Sequence, residues 1–342
     1  MAMKATLVNG PGSVEVVDVP RPSIGASDVL VKVRACGICG SDTFYIARGG
    51  IPPREGATPL GHEIAGEVVE AGPDVEGIAI GDHVVVNPMA APSGIIGNGG
   101  ATGGLADYLH IENARLGVSL AIVPEEVPFE VAALNEPMAV ARHAVNRLNP
   151  QSGDKAVVFG AGPIGLGATI ELKLRGAHVV VVDILPARLK TALAVGADAV
   201  INSAEQDVAA RLLELHGAVP AGGGRGPRPG TDLFLDAAGA PGVIETVLAN
   251  VKHGATLCIP AVHKKPVSVD FGSILSAELT IVMAMGYPTE IFEVTSEIVE
   301  NWQRYAHIIS HRVPFSDVEH ALTLAATPGA AEKVIVTFDP AD

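Results

Sequence analysis

The chain has 342 residues, of which 48% are hydrophobic and 18% charged, and its formal net charge is -15. This composition excludes global disorder, and the acidic balance excludes a broad surface for nucleic acid or for an anionic membrane. No apolar run approaches the ~20 residues of a membrane span, residues 1–5 do not read as a secretory leader, and the three cysteines form no disulfide framework, so a cytoplasmic protein of roughly two domains is expected.

Residues 14–19, 29–33, 64–70 and 83–86 are short alternating or β-branched runs broken by Gly and Pro, which predicts a β-rich, loop-heavy opening region. The texture changes at Asn135. Glu136-Pro137-Met138-Ala139 reads as a helix opening, with Pro137 at the first helical position. From Lys155 strands and helices alternate. Strands are predicted at 156–159, 178–182, 199–201, 232–235 and 256–259, and helices at 163–175, 187–195, 206–216 and 243–251. That rhythm predicts a parallel sheet covered by helices on both faces. Residues 217–230, with three glycines at 222–224, read as a surface loop. Residues 277–285 predict an edge strand available to another subunit, 291–304 and 315–325 predict helices, and 334–338 a closing strand.

Gly160-Ala161-Gly162-Pro163-Ile164-Gly165 has the form G-x-G-x-x-G, after an apolar strand and at the opening of a helix. Gly160 permits a tight turn, Gly162 lets the backbone approach a pyrophosphate, and Gly165 lets helix and strand pack closely. Pro163 and Ile164 begin a helix whose N-terminus faces the anion. Asp183 ends the next strand at about the 20-residue offset expected of a ribose-binding carboxylate. A carboxylate there accepts from both ribose hydroxyls and repels a 2′-phosphate, which favours NAD over NADP. Arg188 is the nearby group that could accommodate that phosphate.

Cys36-Gly37-Ile38-Cys39-Gly40-Ser41-Asp42 is followed by Gly61-His62-Glu63. Thiolate, imidazole and carboxylate suit zinc. The C-x-x-C spacing by itself also fits a zinc ribbon, a redox dithiol or two small core residues. A ribbon needs a second pair, and only Cys258 remains.

Residues 36–42, Gly61 to Gly66, Gly81-Asp82-His83-Val84, the dinucleotide motif and Lys333 to Phe338, in that order, resemble the zinc-containing medium-chain dehydrogenase/reductase superfamily over nearly the whole chain. Glu136-Pro137-Met138-Ala139-Val140 resembles its polyol branch, which includes sorbitol, butanediol and threonine dehydrogenases. The resemblance implies an α/β fold, with a β-rich GroES-like catalytic domain (1–137 and 286–342) and a doubly wound, parallel-sheet Rossmann domain (138–285). It implies Cys39 and His62 as zinc ligands, Glu63 as a ligand or close carboxylate, and Glu136 as a direct or water-mediated ligand. By the same match Ser41 accepts the substrate's hydroxyl proton, while Cys36 and His83 are packed residues. Ala237, with Ala238 and Gly239, is expected at the adenosine or nicotinamide edge, and Lys333 near the pyrophosphate. The implied reaction is NAD-linked oxidation of a secondary alcohol or polyol in a homodimer or homotetramer.

The chain departs from the family pattern twice. Residues 87–107 contain no cysteine, so one catalytic zinc and no structural zinc are expected. Phe44 stands where related enzymes often place a proton-relay histidine, so a relay must end in solvent, use another group or be absent. Two other readings stay open: a zinc-free, NADPH-linked quinone or enoyl reductase of the same superfamily, and a non-catalytic dinucleotide-binding sensor or structural protein.

Overall fold

The computed structural model describes residues 2–52, 54–221 and 225–338. Packing divides them into two units. One runs up to Glu136 and resumes at Ile291; the other is Pro137–Glu290.

The first unit is built on a seven-stranded sheet in the order Leu120–Ile122, His83–Val86, Glu63–Ala71, Val29–Gly37, Val334–Thr337, His311–Pro314, with Tyr108–Ile111 also paired to Val29–Gly37. Val29–Gly37 is the centre. Its Val31, Val33 and Cys36 are fully buried in a core shared with Ile64, Val68 and Val336, as a strand paired on both sides requires. The register of this strand sets which side chains meet at its end. Gly37 opposes Glu63 on one neighbour and Ile335 on the other. The last strand of the chain therefore arrives beside the strand that begins at Glu63, and Lys333 with it.

A helix that short-range periodicity does not reveal spans Gly40–Arg48. Asp42 explains its start, since its Oδ2 accepts from Cys39 N at 2.9 Å across the first turn. Gly49, at φ +85°, ends it in the left-handed conformation.

The second unit holds a six-stranded parallel sheet in the order Ala199–Asn202, His178–Asp183, Lys155–Phe159, Leu233–Asp236, Thr256–Ile259, Thr280–Met283. This is the doubly wound order, and the strand sequence reverses beside Lys155–Phe159, where such sheets bind ligands. Val179 to Val182 are at most 3% exposed, because helices cover both faces. The helix Pro163–Leu174 follows the first of these strands and the helix Pro186–Ala194 the second.

Three expectations are revised. Residues 217–230 are not a loop throughout: Ala218–Ala221 and Arg225–Pro229 form an antiparallel hairpin, and 222–224 lie outside the described residues. The expected helix at 206 starts at Val208, because the Asp207 side chain accepts from Ala210 N and caps it there. Residues 286–290 pack with the second unit rather than the first. Glu290 is 4% exposed and pairs with His143 Nδ1 at 2.9 Å, while Asn146 Nδ2 donates to it at 3.0 Å. No helix among the described residues is long and apolar enough to cross a membrane.

Burial alone would raise the Glu290 pKa, but hydrogen bonds from His143, Thr289 N and Asn146 outweigh it and hold the carboxyl down at about 2. A carboxylate whose pKa is depressed on folding adds stability above its unfolded pKa, and that stability is lost as pH falls toward the folded value. Relative to the ordinary value of 4.5, the contribution is about 3 kcal/mol. Glu290→Gln is therefore expected to lower the thermal midpoint at pH 6. The gap to the unsubstituted protein should narrow between pH 4.5 and pH 2, and a constant gap across that range would refute the assignment.

Candidate functional site

Cys39, His62 and Glu63 each offer one donor atom, and the three atoms lie within 4.8 Å of one another. His62 and Glu63 are buried, at 4% and 1% exposure. Cys39 comes from the cap of the helix Gly40–Arg48, and Glu63 from the start of the strand Glu63–Ala71. Cys36, three residues earlier, is fully buried in the sheet core, and burial followed by the charges of Asp42 and Glu63 pushes its thiol well above the ordinary range. The two cysteines of the C-x-x-C run thus separate, one packed and one in the cluster.

Asp42 does not stand out by its residue type, yet it ties the cluster together. It is fully buried, accepts from Cys39 N at 2.9 Å and from Gly61 N at 3.5 Å, and lies 3.7 Å from His62 Nδ1. That separation is an ion-pair contact, and His62 Nδ1 makes no hydrogen bond. Burial raises the Asp42 carboxyl above its usual range. Burial opposes charge on His62 too, but Asp42, Cys39 and Glu136 outweigh it and raise the imidazole well above its ordinary value. The spacing Cys39-x-x-Asp42 at a helix opening was the available signal, since a carboxylate three residues into a helix reaches back to the cap.

Lys333, expected beside a pyrophosphate, belongs to the first unit and is 3% exposed; it pairs with Glu63 Oε2 and donates to Ile38 O at 2.9 Å. Burial works against its ammonium, but Glu63, Cys39 and Glu136 outweigh that and raise its pKa. Glu136 opens the helix Asn135–Leu148 and is 9% exposed. It stands outside the three-donor group, near enough for its charge to act on His62 and Lys333. Its place is held by Asn135, which donates to Ile291 O at 2.6 Å and accepts from Thr295 Oγ1 at 2.7 Å. Ser41 Oγ is buried without a well-formed hydrogen bond. Phe44 is 56% exposed, and His83 packs on Phe129 at 4.2 Å between ring centroids.

These residues fit a zinc ion. The donor types are those zinc prefers. His62 and Glu63 are buried and Cys39 is half-buried, among further carboxyls with one ammonium against them, and an unpaired charge in such a setting is costly. A His ligand is oriented by the group on its other ring nitrogen, and loss of that group commonly lowers metal affinity 10- to 100-fold. Asp42→Asn is expected to weaken zinc binding within that range in a chelator competition, with the helix Gly40–Arg48 retained by circular dichroism. An affinity within twofold of the unsubstituted protein would show that His62 is oriented without Asp42.

In the second unit the dinucleotide motif forms a tight turn at the sheet reversal. Gly160 has φ +94°, and a Cβ at Gly165 would lie 1.8 Å from Gly160 O. Gly162 caps the helix and Pro163 and Ile164 begin it. Asp183 is 9% exposed; one oxygen accepts from Ala161 N at 2.7 Å, the other from Ile184 N and Leu185 N at 2.7 and 2.9 Å. The carboxylate therefore braces the turn itself. Arg188 sits in the first turn of the helix Pro186–Ala194. Ala237 N donates to Phe159 O at 2.9 Å, and Ala237 and Ala238 lie against Gly160. That wall is fixed by Asp236, a residue that no sequence motif marks. Asp236 accepts from Ala238 N and Gly239 N at 3.0 and 2.9 Å and pairs with His263 Nε2 at 2.8 Å.

Comparison with known proteins agrees with this geometry. Residues 25–120 match the alcohol dehydrogenase GroES-like domain, and residues 163–301 match the zinc-binding dehydrogenase family. The chain is similar to L-threonine 3-dehydrogenase of Streptomyces coelicolor, 32% identical over 342 residues, covering 94% of this chain and 95% of that protein. It is also similar to (R,R)-butanediol dehydrogenase of Bacillus subtilis, 30% identical over 339 residues, covering 92% and 94%. The crystal structure of 2R,3R-butanediol dehydrogenase from Bacillus subtilis aligns with a TM-score of 0.85 at 28% identity, covering 98% of this chain and 99% of that one. With two family models matched in its two units and relatives aligned along nearly its full length, the chain belongs to the zinc-containing medium-chain dehydrogenase/reductase superfamily, in the polyol-dehydrogenase branch.

Proposed function

We propose that the protein is a zinc-dependent dehydrogenase that takes hydride from a secondary alcohol or vicinal diol and passes it to NAD. The observation that carries this reading is the meeting of Cys39, His62 and Glu63 within 4.8 Å, in a chain that also holds the Gly160 turn braced by Asp183. When bound, zinc supplies Lewis acidity toward the alcohol oxygen and NAD supplies the hydride acceptor. Cys39, His62 and Glu63 would hold the zinc, with Glu136 close by, and one zinc per subunit is inferred because residues 87–107 carry no cysteine.

The chain's own groups then have distinct tasks. Lys333 balances Glu63, so that the carboxylate's charge is shared between an ammonium and the metal position. Asp42 holds the Cys39 and His62 segments in register. Ser41 Oγ accepts the proton that leaves the substrate hydroxyl. Phe44 carries no proton, so the proton passes onward to solvent or to another group. Asp183, with three backbone amides already on its two oxygens, keeps about one lone-pair site for a ribose hydroxyl and places negative charge where NADP carries a phosphate. The butanediol and threonine dehydrogenases among its relatives support a substrate bearing a hydroxyl beside a second polar group.

The test is a panel of secondary alcohols and vicinal diols assayed with NAD and NADP before and after chelation. Chelation is expected to abolish turnover and added zinc to restore it; a chelated protein at full rate rejects the zinc reading in favour of a zinc-free reductase. NAD is expected to exceed NADP in kcat/KM by at least about tenfold, or about 1.4 kcal/mol. The reverse order rejects the role given to Asp183. Binding of NAD with full zinc and no turnover on any alcohol favours the non-catalytic reading.

A homo-oligomer is inferred from the outer strand of the second unit. Thr280–Met283 is the last strand of its sheet, and Ile281, Met283 and Met285 are 41%, 64% and 84% exposed. An apolar open edge invites a second copy. Light scattering is expected to give a dimer or tetramer, and Ile281→Lys with Met283→Lys a smaller species. A monomer before substitution ends this proposal.

A further inference from the structure

Residues 94–104 include Gly94, Gly97, Gly99, Gly100, Gly103 and Gly104. A composition so glycine-rich suits a surface loop, but Ile96, Gly97, Gly100, Gly103 and Gly104 are buried. The loop folds onto the two residues that precede His62. Gly104 N donates to Gly61 O at 2.7 Å, and Leu105 N donates to Leu60 O at 3.0 Å. At Gly97, with φ +64°, an added Cβ would stand 1.9 Å from Gly61 O, and at Gly103 it would stand 2.2 Å from Leu60 O. Both obstacles are backbone, which no side-chain rotation relieves. Glycine is required there for contact with the His62 segment, not for freedom of the loop.

The same loop reaches the other ligand. Asn98 Oδ1 accepts from the Tyr45 hydroxyl at 2.6 Å, and Tyr45 belongs to the helix Gly40–Arg48, whose cap is Cys39. One short segment therefore grips both elements that supply donors to the cluster. Asp42 is a direct link between them; the loop is a second and independent one. We propose that residues 94–104 form a template that sets the spacing of Cys39 and His62 for the metal, with Gly97, Asn98 and Tyr45 as positioning residues. Glycine packing does this in a stretch that has no cysteine. The inference rests on the reading of Cys39, His62 and Glu63 as a zinc site.

The test is metal affinity of the full chain, measured on apoprotein with zinc against a chelator and with cobalt(II) through its thiolate absorption band. Gly97→Ala, Asn98→Ala, Tyr45→Phe and the Asn98→Ala/Tyr45→Phe pair are compared after apoprotein folding is confirmed by circular dichroism. Gly97→Ala is expected to lose about tenfold or more in affinity. Asn98→Ala and Tyr45→Phe are expected to weaken binding by similar, smaller factors and to shift the cobalt band, with the pair no worse than either single change because both remove one bond. NAD binding, housed in the second unit, is expected to stay unchanged throughout. If Gly97→Ala does not fold, the other three variants decide. Folded variants with affinity within twofold of the unsubstituted protein and an unmoved cobalt band overturn the template. An unsubstituted protein that takes up no metal overturns the metal reading itself, and the template with it.

Discussion

A thiol, an imidazole and a carboxylate held within 4.8 Å of one another, largely away from water, impose the main demand on the first unit. Each of these groups is well solvated in an unfolded chain, and gathering them in a medium of low polarity is unfavourable unless charge is compensated. The Lys333 ammonium compensates Glu63, and the Asp42 carboxylate compensates His62. Those two partners come from opposite ends of the unit's sequence. The central strand Val29–Gly37 brings them together, because its last residue pairs with Glu63 on one side and Ile335 on the other. The sheet is thus the device that makes the cluster tolerable, and the glycine loop 94–104 is packed against the backbone of the two residues before His62.

The second unit meets a different demand by different means. Its inner parallel strands are largely apolar, and the turn from Gly160 to Gly165 lies where the strand order reverses. Backbone hydrogen bonds there are supported by Asp183 from one side and by the Ala237 wall, fixed by Asp236, from the other. A pyrophosphate at such a helix opening is met by oriented amides and needs no cationic side chain. The carboxylate of Asp183 shapes the turn, and under the proposed function it also sets the charge that a ribose meets.

Much of this was legible in residue order. The strand and helix rhythm from Lys155 onward and the Gly160 motif with Asp183 at its expected offset are patterns of periodicity and spacing, whereas the grouping of Cys39 with His62 and Glu63 was carried by the family resemblance. Helix Gly40–Arg48 was missed because it is short and opens on Gly, Ser and Asp, and its start depends on one carboxylate reaching back to Cys39 N. The hairpin around 222–224 was missed because its strands contain Gly and Pro, which locally favour a loop. Asp42, Asp236 and Tyr45 look like ordinary polar residues in the sequence, and only their burial and partners mark them.

Residue order by itself determined the class of fold, the dinucleotide turn and the types of donor available to a metal, because each of these depends on local periodicity or on short-range spacing. Tertiary structure alone decided that Lys333 joins Glu63, that Cys36 is sealed in the core while Cys39 stays in the cluster, and that a glycine loop braces the segment before His62. These outcomes depend on strand register and on close backbone contact between segments tens to hundreds of residues apart, and neither leaves a trace in the spacing of neighbouring residues.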